Sequence, residues 1–272
     1  MKQGSPIQFC EVLQCREKER PRRMRDELAA EEPLEIQVDT HPVVVTMRTP
    51  GHDDELAAGF LLSEGLIRNR QQILKISPHI RNPEGNVLDV FLADGVEVDF
   101  KQLTRHVFAS SSCGLCGKAS IAMVHRHFPK VDSRVVVSER TLLSLPAQLR
   151  KQQKVFDRTG GLHAAAVFDR RGRMLVARED VGRHNAVDKV LGHALLQDLL
   201  PLERHILMVS GRASFEILQK ALAARVPIVA AVSAPSSLAV QFAVESHQTL
   251  IGFLREGQMN IYSKPRRVSR KR

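Results

Sequence analysis

The hydrophobic pattern changes period several times along the chain, and each change marks an element. Between residues 33 and 48, Ile36 and Val38 alternate with polar residues and Val43, Val44 and Val45 form a β-branched run, which predicts two short strands. A helix is predicted from Asp53, its N-cap, with Leu56, Phe60 and Leu61 on the buried face and Gly65 closing it. Residues 73–76, 87–92 and 96–100 read as further strands, with turns at 82–85 and at Asp94-Gly95. Ile121, Val124 and Phe128 recur at helical spacing before Pro129, and 139–156 reads as helix interrupted or restarted at Pro146. Gly160-Gly161 marks a loop.

From Leu162 onward strands alternate with amphipathic helices. Residues 164–168 and 174–177 predict a hairpin around Arg171-Gly172, and Val187, Val190, Leu191, Ala194 and Leu195 share one helix face. Strand 206–209, helix 214–224, strand 228–232, helix 237–245 and strands 249–254 and 260–262 follow. Such alternation predicts a largely parallel sheet covered on both faces. The fold class is therefore α/β in the second half and α+β overall. The expected organisation is a flexible basic leader at 1–32, a smaller N-terminal α+β domain at 33–108, a larger α/β domain at 109–263 and a basic tail at 264–272.

Composition narrows the function. The 272 residues suffice for a substantial core, and 43% hydrophobic content is ordinary for a globular protein. No apolar run approaches the roughly 20 residues of a membrane-spanning helix, and the start lacks a signal-peptide layout, so the expectation is a cytoplasmic protein. The net charge of +10, concentrated in residues 16–25 and 264–272, favours anionic partners. Aromatic content of 4%, with no Trp, weighs against a single-strand nucleic-acid binder, which stacks bases on aromatic rings.

Four cysteines are too few for a disulfide scaffold. Cys10 and Cys15, in the leader, read as incidental thiols. Cys113 and Cys116 lie in Ser-Ser-Ser-Cys-Gly-Leu-Cys-Gly-Lys, before a predicted helix. A helix start and the charge of Lys118 both favour a thiolate, and the glycines leave the sulfurs little shielded and the loop mobile. Two cysteines make half of a zinc site, and His125 and His127, two residues apart, point to different sides of a helix. The zinc deaminase pattern is also missing, so no metal is expected. Disulfide exchange and sulfur transfer remain open on the residues alone.

Two strand-to-helix junctions suit an anion: Ser210-Gly211-Arg212-Ala213-Ser214 and Ser233-Ala234-Pro235-Ser236-Ser237. Small residues, hydroxyls and free helix N–H groups attract phosphate, although capping explains the serines equally well. Arg178 to Asn185, which includes Asp180 and His184, is a third polar loop, and His163 lies beside Gly160-Gly161.

The chain resembles the FdhD family of formate dehydrogenase accessory sulfurtransferases. The matching stretches are residues 48–61 (RTPGHDDELAAGFL), 112–118 (SCGLCGK), 159–165 (TGGLHAA), 179–189 (EDVGRHNAVDK), 209–212 (VSGR) and 233–237 (SAPSS), and the likeness runs from about the first strand to Tyr262. The resemblance implies a sulfur carrier that takes sulfur from a cysteine desulfurase as a persulfide on Cys113, with Cys116 as its partner. It would deliver that sulfur to the molybdenum cofactor, a bis(molybdopterin guanine dinucleotide) bound as substrate, before insertion into formate dehydrogenase. It also implies a homodimer and a cytidine deaminase-like larger domain lacking zinc ligands. The stretch Phe253, Leu254, Arg255, Glu256, Gly257 and Gln258 matches the family's cofactor-binding segment in position, though it is not rich in Arg and Gly. With Ser210, Gly211, Arg212, Ser233, Ser236, Ser237 and His184 it makes the expected cofactor site. The alternatives are a thiol-disulfide oxidoreductase and a non-enzymatic cofactor chaperone, with a nucleic-acid binder more distant.

Overall fold

The computed structural model describes residues 4–80, 82, 85–96, 98, 124, 127–255 and 257–270. The predicted strand at 96–100, the helix after Cys116 and both cysteines of the Cys113–Cys116 pair lie wholly or mostly outside them.

Residues expected to form a flexible leader instead make an antiparallel hairpin, β1 (Ile7–Gln14) against β2 (Arg22–Ala29). Its base is anchored by buried Ile7 and by the Ala30 N–H, which donates to the Pro6 carbonyl at 2.9 Å. Charge density at 16–25 hid the alternation, because both faces of the ribbon carry exposed charged residues and the apolar residues Phe9 and Leu13 face solvent.

A four-stranded sheet follows, in the order β4-β3-β6-β5: β3 (Glu32–Val38), β4 (His41–Arg48), β5 (Ile73–Pro78) and β6 (Val87–Leu92). The period of two puts Leu34, Ile36, Val38, Leu88, Val90 and Leu92 into the core, with Ile36 opposite Leu88 and Val38 opposite Val90. Helix α1 (Asp53–Ser63) begins one residue earlier than predicted, with His52 as N-cap in the left-handed region at φ 57°.

The second half is a six-stranded sheet in the order β13-β12-β11-β10-β8-β9. Its strands are β8 (His163–Asp169), β9 (Met174–Asp180), β10 (His205–Val209), β11 (Ile228–Ala231), β12 (Thr249–Arg255) and β13 (Gln258–Ile261). The expectation of a largely parallel sheet needs correction, since parallel pairing is confined to β10-β11-β12 and the remaining pairs are antiparallel. The β8–β9 hairpin and the tight turn before β13 force antiparallel neighbours, whereas the helical crossovers alone allow parallel ones.

The two faces of this sheet are covered differently. Helices α4 (Arg183–Leu196), α5 (Phe215–Ala223) and α6 (Ser237–Glu245) cover Ala165, Val167, Leu207, Val209 and Val229. Helix α2 (Glu139–Arg150) covers Ala164, Ala166, Phe168, Met208 and Ala230, and the short α3 (Lys154–Thr159) follows it. Pro146 does not interrupt α2, because buried Leu142, Leu145 and Leu149 hold the helix on the sheet on both sides of the missing N–H. The break falls instead at residues 151–153. The expected basic tail is ordered as well: Val268–Ser269 (β14) pairs in parallel with Val137–Ser138 (β7).

The two sheets share one hydrophobic cluster, joined where α1 crosses α4. The crossing needs glycine at both contact points. A methyl group on Gly59 would occupy the place of the Asp188 carbonyl, and one on Gly192 that of the Glu55 carbonyl. Around it, Lys220 donates to both oxygens of Asp188 at 2.9 and 2.8 Å, and Ser63 donates to Asp188 Oδ1 at 2.7 Å. Arg178 grips Glu55 with two bonds of 2.5 and 2.6 Å, and His193 Nδ1 lies 2.9 Å from the same carboxylate. The seam between the sheets is thus tight and charge-matched.

Candidate functional site: a cationic edge of the sheet

Three parallel strands aim their carboxyl ends at one edge of the large sheet, and the loops leaving β10, β11 and β12 lie there side by side. The first two are stitched together: the Ala213 N–H donates to the Ala234 carbonyl at 3.2 Å, and the Ser236 N–H to Ala213 at 3.0 Å. The third joins through the Phe253 N–H, which donates to Ser233 at 3.1 Å. Because β8 and β9 are antiparallel to their neighbours, the start of β8 (His163) and the end of β9 (Asp180) meet at the same edge. Helices α4, α5 and α6 all begin here, with their partly positive N-termini turned to it.

The serines divide into roles. Ser236 caps α6 by accepting the Ala239 N–H at 3.2 Å, and Ser210 accepts the Ala164 N–H at 2.8 Å. Those oxygens are committed to the fold. Ser214, the N-cap residue of α5, makes no cap bond to its own helix, and its Oγ lies 3.2 Å from His184 Nε2. Ser237 is the first residue of α6.

The cations are less well matched. Helix α4 starts at Gly182 with no side-chain cap and no acidic residue in its first turn. Its first residue is Arg183, whose Nε is buried without a hydrogen-bond partner among the described residues. Burial, then Arg183, then Arg212 push the pKa of His163 down. Gly211 lets that imidazole lie close, since a methyl group there would stand 3.2 Å from its Nδ1. The neighbouring His184 is pushed to about 4, chiefly by burial and then by Arg183 and Lys220. Burial first and the nearby positive charges second favour the neutral form of both imidazoles. The acidic neighbours are Glu216, 3.9 Å from His184 Nε2, and Asp180, whose charge acts on His163. A half-buried cationic edge with an unsatisfied guanidinium nitrogen and uncapped helix N–H groups is a place for an anion.

The expected segment at 253–258 forms the β12–β13 turn at this edge. Phe253 takes φ 51° at a bulge, Gly257 takes φ 73° in the turn, and Gln258 pairs with Arg255. Arg255 lies over the Phe253 ring at 5.7 Å and donates to the Val232 carbonyl at 3.4 Å. Leu254 is corrected: its side chain is sealed in the core beneath α2, which removes it from any ligand surface. Glu256 and the expected catalytic pair, Cys113 and Cys116, lie outside the described residues. Among the described residues no group of three or more His, Cys, Asp or Glu side chains is placed to hold a metal ion. Cys10 and Cys15 are exposed thiols on and beside β1.

Sequence reasoning did not single out Arg183, and it read Asp180 within the polar loop as no more than a helix N-cap. Asp180, expected as an N-cap, is fully buried and takes four donors: Thr49 N–H at 3.2 Å, Gly182 N–H at 2.8 Å, Asn185 Nδ2 at 3.1 Å and Lys189 Nζ at 2.6 Å. It ties the loop at Thr49 to the start of α4. The available signal was the density of charge in residues 178–185.

A family model described as FdhD/NarQ matches residues 29–269. Proteins called sulfur carrier protein FdhD are similar over most of the chain. That of Mycobacterium tuberculosis (strain ATCC 25618 / H37Rv) is 53% identical, covering 89% of this chain and 91% of its own. That of Streptomyces coelicolor is 52% identical, covering 90% and 89%. The chain belongs to the FdhD/NarQ family. A crystal structure described as that of a formate dehydrogenase accessory protein from Desulfotalea psychrophila shares the fold, with a TM-score of 0.77 over 97% of this chain and 100% of that one at 23% identity. Membership sets the expected mixed α+β fold on a second footing beside the two sheets described above. No helix among the described residues is long and apolar enough to cross a membrane.

Proposed function

We propose that this FdhD/NarQ protein is a sulfur carrier that serves formate dehydrogenase maturation, with Cys113 as the carrying thiol. The observation that carries the reading is the likeness, at 52–53% identity over nearly the whole length, to proteins named as sulfur carriers. The Cys113-Gly-Leu-Cys116 segment supplies the matching chemistry. A Cys113 thiolate attacks the outer sulfur of a desulfurase-bound persulfide, the donor thiolate departs, and the sulfane sulfur moves without net oxidation. For delivery, the Cys116 thiolate attacks the inner sulfur of the Cys113 persulfide and releases sulfide to the acceptor. The resulting Cys113–Cys116 disulfide is then reduced by an external dithiol.

In this reading the acceptor is the molybdenum cofactor as a bis(molybdopterin guanine dinucleotide), handled as substrate. Its pyrophosphates suit the cationic edge, where Arg183, Arg212 and the start of α4 offer donors to phosphate oxygens. Neutral His163 and His184 offer one N–H each and add no charge. A cytoplasmic setting and a homodimer belong to the same proposal, as does the cysteine desulfurase as donor. A persulfide adds about 32 Da to the intact protein. Incubation with a cysteine desulfurase and cysteine should add that mass to the native chain and not to Cys113→Ala. A variant that still acquires labelled sulfur would remove Cys113 from the relay. Loss of two hydrogens with no gain of sulfur would favour disulfide exchange, and full maturation of formate dehydrogenase by Cys113→Ala would favour a cofactor chaperone.

A further inference from the structure

A cavity opens beside the Asp180 hub, and nothing in the sulfur-carrier reading uses it. It measures about 370 Å³ and lies between the Thr49–His52 turn, the β9 edge strand and the α2–α3 junction. Its lining includes none of Arg183, Arg212, Ser210, His163 or His184, so it is separate from the cationic edge.

One wall is apolar, formed by Leu149, Val155, Leu162, Ala164 and Ala177. The rest of the lining carries donors. Lys189, 1% exposed, reaches the cavity from α4. Its ammonium gives one hydrogen to Asp180 at 2.6 Å and one to the Thr49 carbonyl at 2.9 Å. An ammonium has three hydrogens, and the third has no acceptor among the described residues. Lys154 stands at the rim, exposed, and no ion pair among the described residues engages it. The turn at Gly51 (φ 109°) and His52 (φ 57°) brings the start of α1, which has no side-chain cap, to the same lining. Glu179 also lines the space, but its oxygens already accept the Val155 and Phe156 N–H groups at 3.0 and 2.8 Å.

The charge count sets the ligand class. Lys189 is balanced by Asp180, Arg178 by Glu55, and the first turn of α1 holds Asp53, Asp54 and Glu55. Glu179 adds a carboxylate that meets only backbone N–H groups, so Lys154, which has no ion pair among the described residues, and one spare ammonium hydrogen leave room for a single negative charge at most, and a phosphate dianion would meet too many carboxylates. The size falls at the lower end of small-molecule sites. We infer that this cavity binds a small organic monocarboxylate with an apolar side chain, its carboxylate between Lys189 and Lys154 and its tail against Leu149, Leu162 and Ala177.

The test uses the full chain and 4-methylpentanoate, with 4-methylpentanamide as the uncharged twin, in calorimetric titration. The acid should bind saturably and the amide at least about tenfold more weakly, the worth of a charge-assisted bond. Lys154→Ala should weaken the acid several-fold, and Ala177→Leu, which fills the cavity, should abolish binding while thermal unfolding shows the variant folded. If Ala177→Leu does not fold, Lys154→Ala and the amide carry the test. Pyrophosphate should not displace the acid. Absence of saturable binding up to about 10 mM, equal affinity for acid and amide, or displacement by pyrophosphate would each overturn the inference. None of these outcomes bears on sulfur loading at Cys113, so the two readings fail separately.

Discussion

The α1–α4 seam and the carboxyl edge of the large sheet are both rich in charge, yet they handle it in opposite ways. At the seam the buried charges among the described residues meet their counterparts: Lys220 with Asp188 and Arg178 with Glu55. At the edge, Arg183 keeps a buried nitrogen without a partner among the described residues and two imidazoles are held neutral. Matched burial fixes two sheets in one arrangement. Unmatched cations are tolerated where something negative is to arrive. The difference separates charges that serve the fold from charges that serve a ligand.

The strongest blow to that contrast falls at the seam. Gly59→Ala places a methyl group on the Asp188 carbonyl and should cost about 4 kcal/mol or more, since neither helix backbone can retreat. Urea unfolding should show the loss, and Gly192→Ala should behave alike. Next, Asp188→Ala leaves the Lys220 ammonium buried without its carboxylate and should cost about 3–4 kcal/mol. Replacing the pair with Leu at 188 and Met at 220 should recover most of that, and a double variant as unstable as the single one would mean the ion pair itself is needed.

At the edge the effects should move from stability to binding. Arg183→Ala should leave the unfolding free energy within about 0.5 kcal/mol but weaken pyrophosphate or guanosine diphosphate by about tenfold. A large stability loss with unchanged affinity would place Arg183 with the seam. The smallest effect concerns pH. His184 has its pKa lowered from 6.5 to about 4, so between those values the unfolded chain takes up a proton that the folded one refuses. Its contribution is therefore fully present above 6.5 and is lost as pH falls toward 4. His184→Gln should flatten the stability slope across that window. Saturating pyrophosphate should raise the His184 pKa, as nuclear magnetic resonance titration of its ring would show.

Element identities were largely legible because burial imposes a period. Ile36 and Val38, or Val187, Val190 and Leu191, reveal which way a segment faces whatever its neighbours are. The errors occurred where local signals were weaker than tertiary ones. Pro146 is tolerated because three leucines anchor its helix, and residues 7–29 form a ribbon whose outward faces show no clean alternation. The loops at 210–214 and 233–237 could be picked out by their small and hydroxylated residues. Which serine caps and which faces the edge depended on neighbours as distant in sequence as Ala164 and His184.

The sequence alone determined most of the strands and helices between residues 33 and 262, the excess of positive charge, the thiol pair at 113 and 116 and the family likeness, because each is written in local spacing or composition. Only the tertiary structure decided that Gly59 and Gly192 are contact points, that Asp180 gathers four donors and that the Arg183 Nε lacks a partner among the described residues while Lys189 keeps a spare hydrogen. Whether a charge is matched is a property of the space around it. That space is assembled from residues more than a hundred positions apart, which no local pattern records.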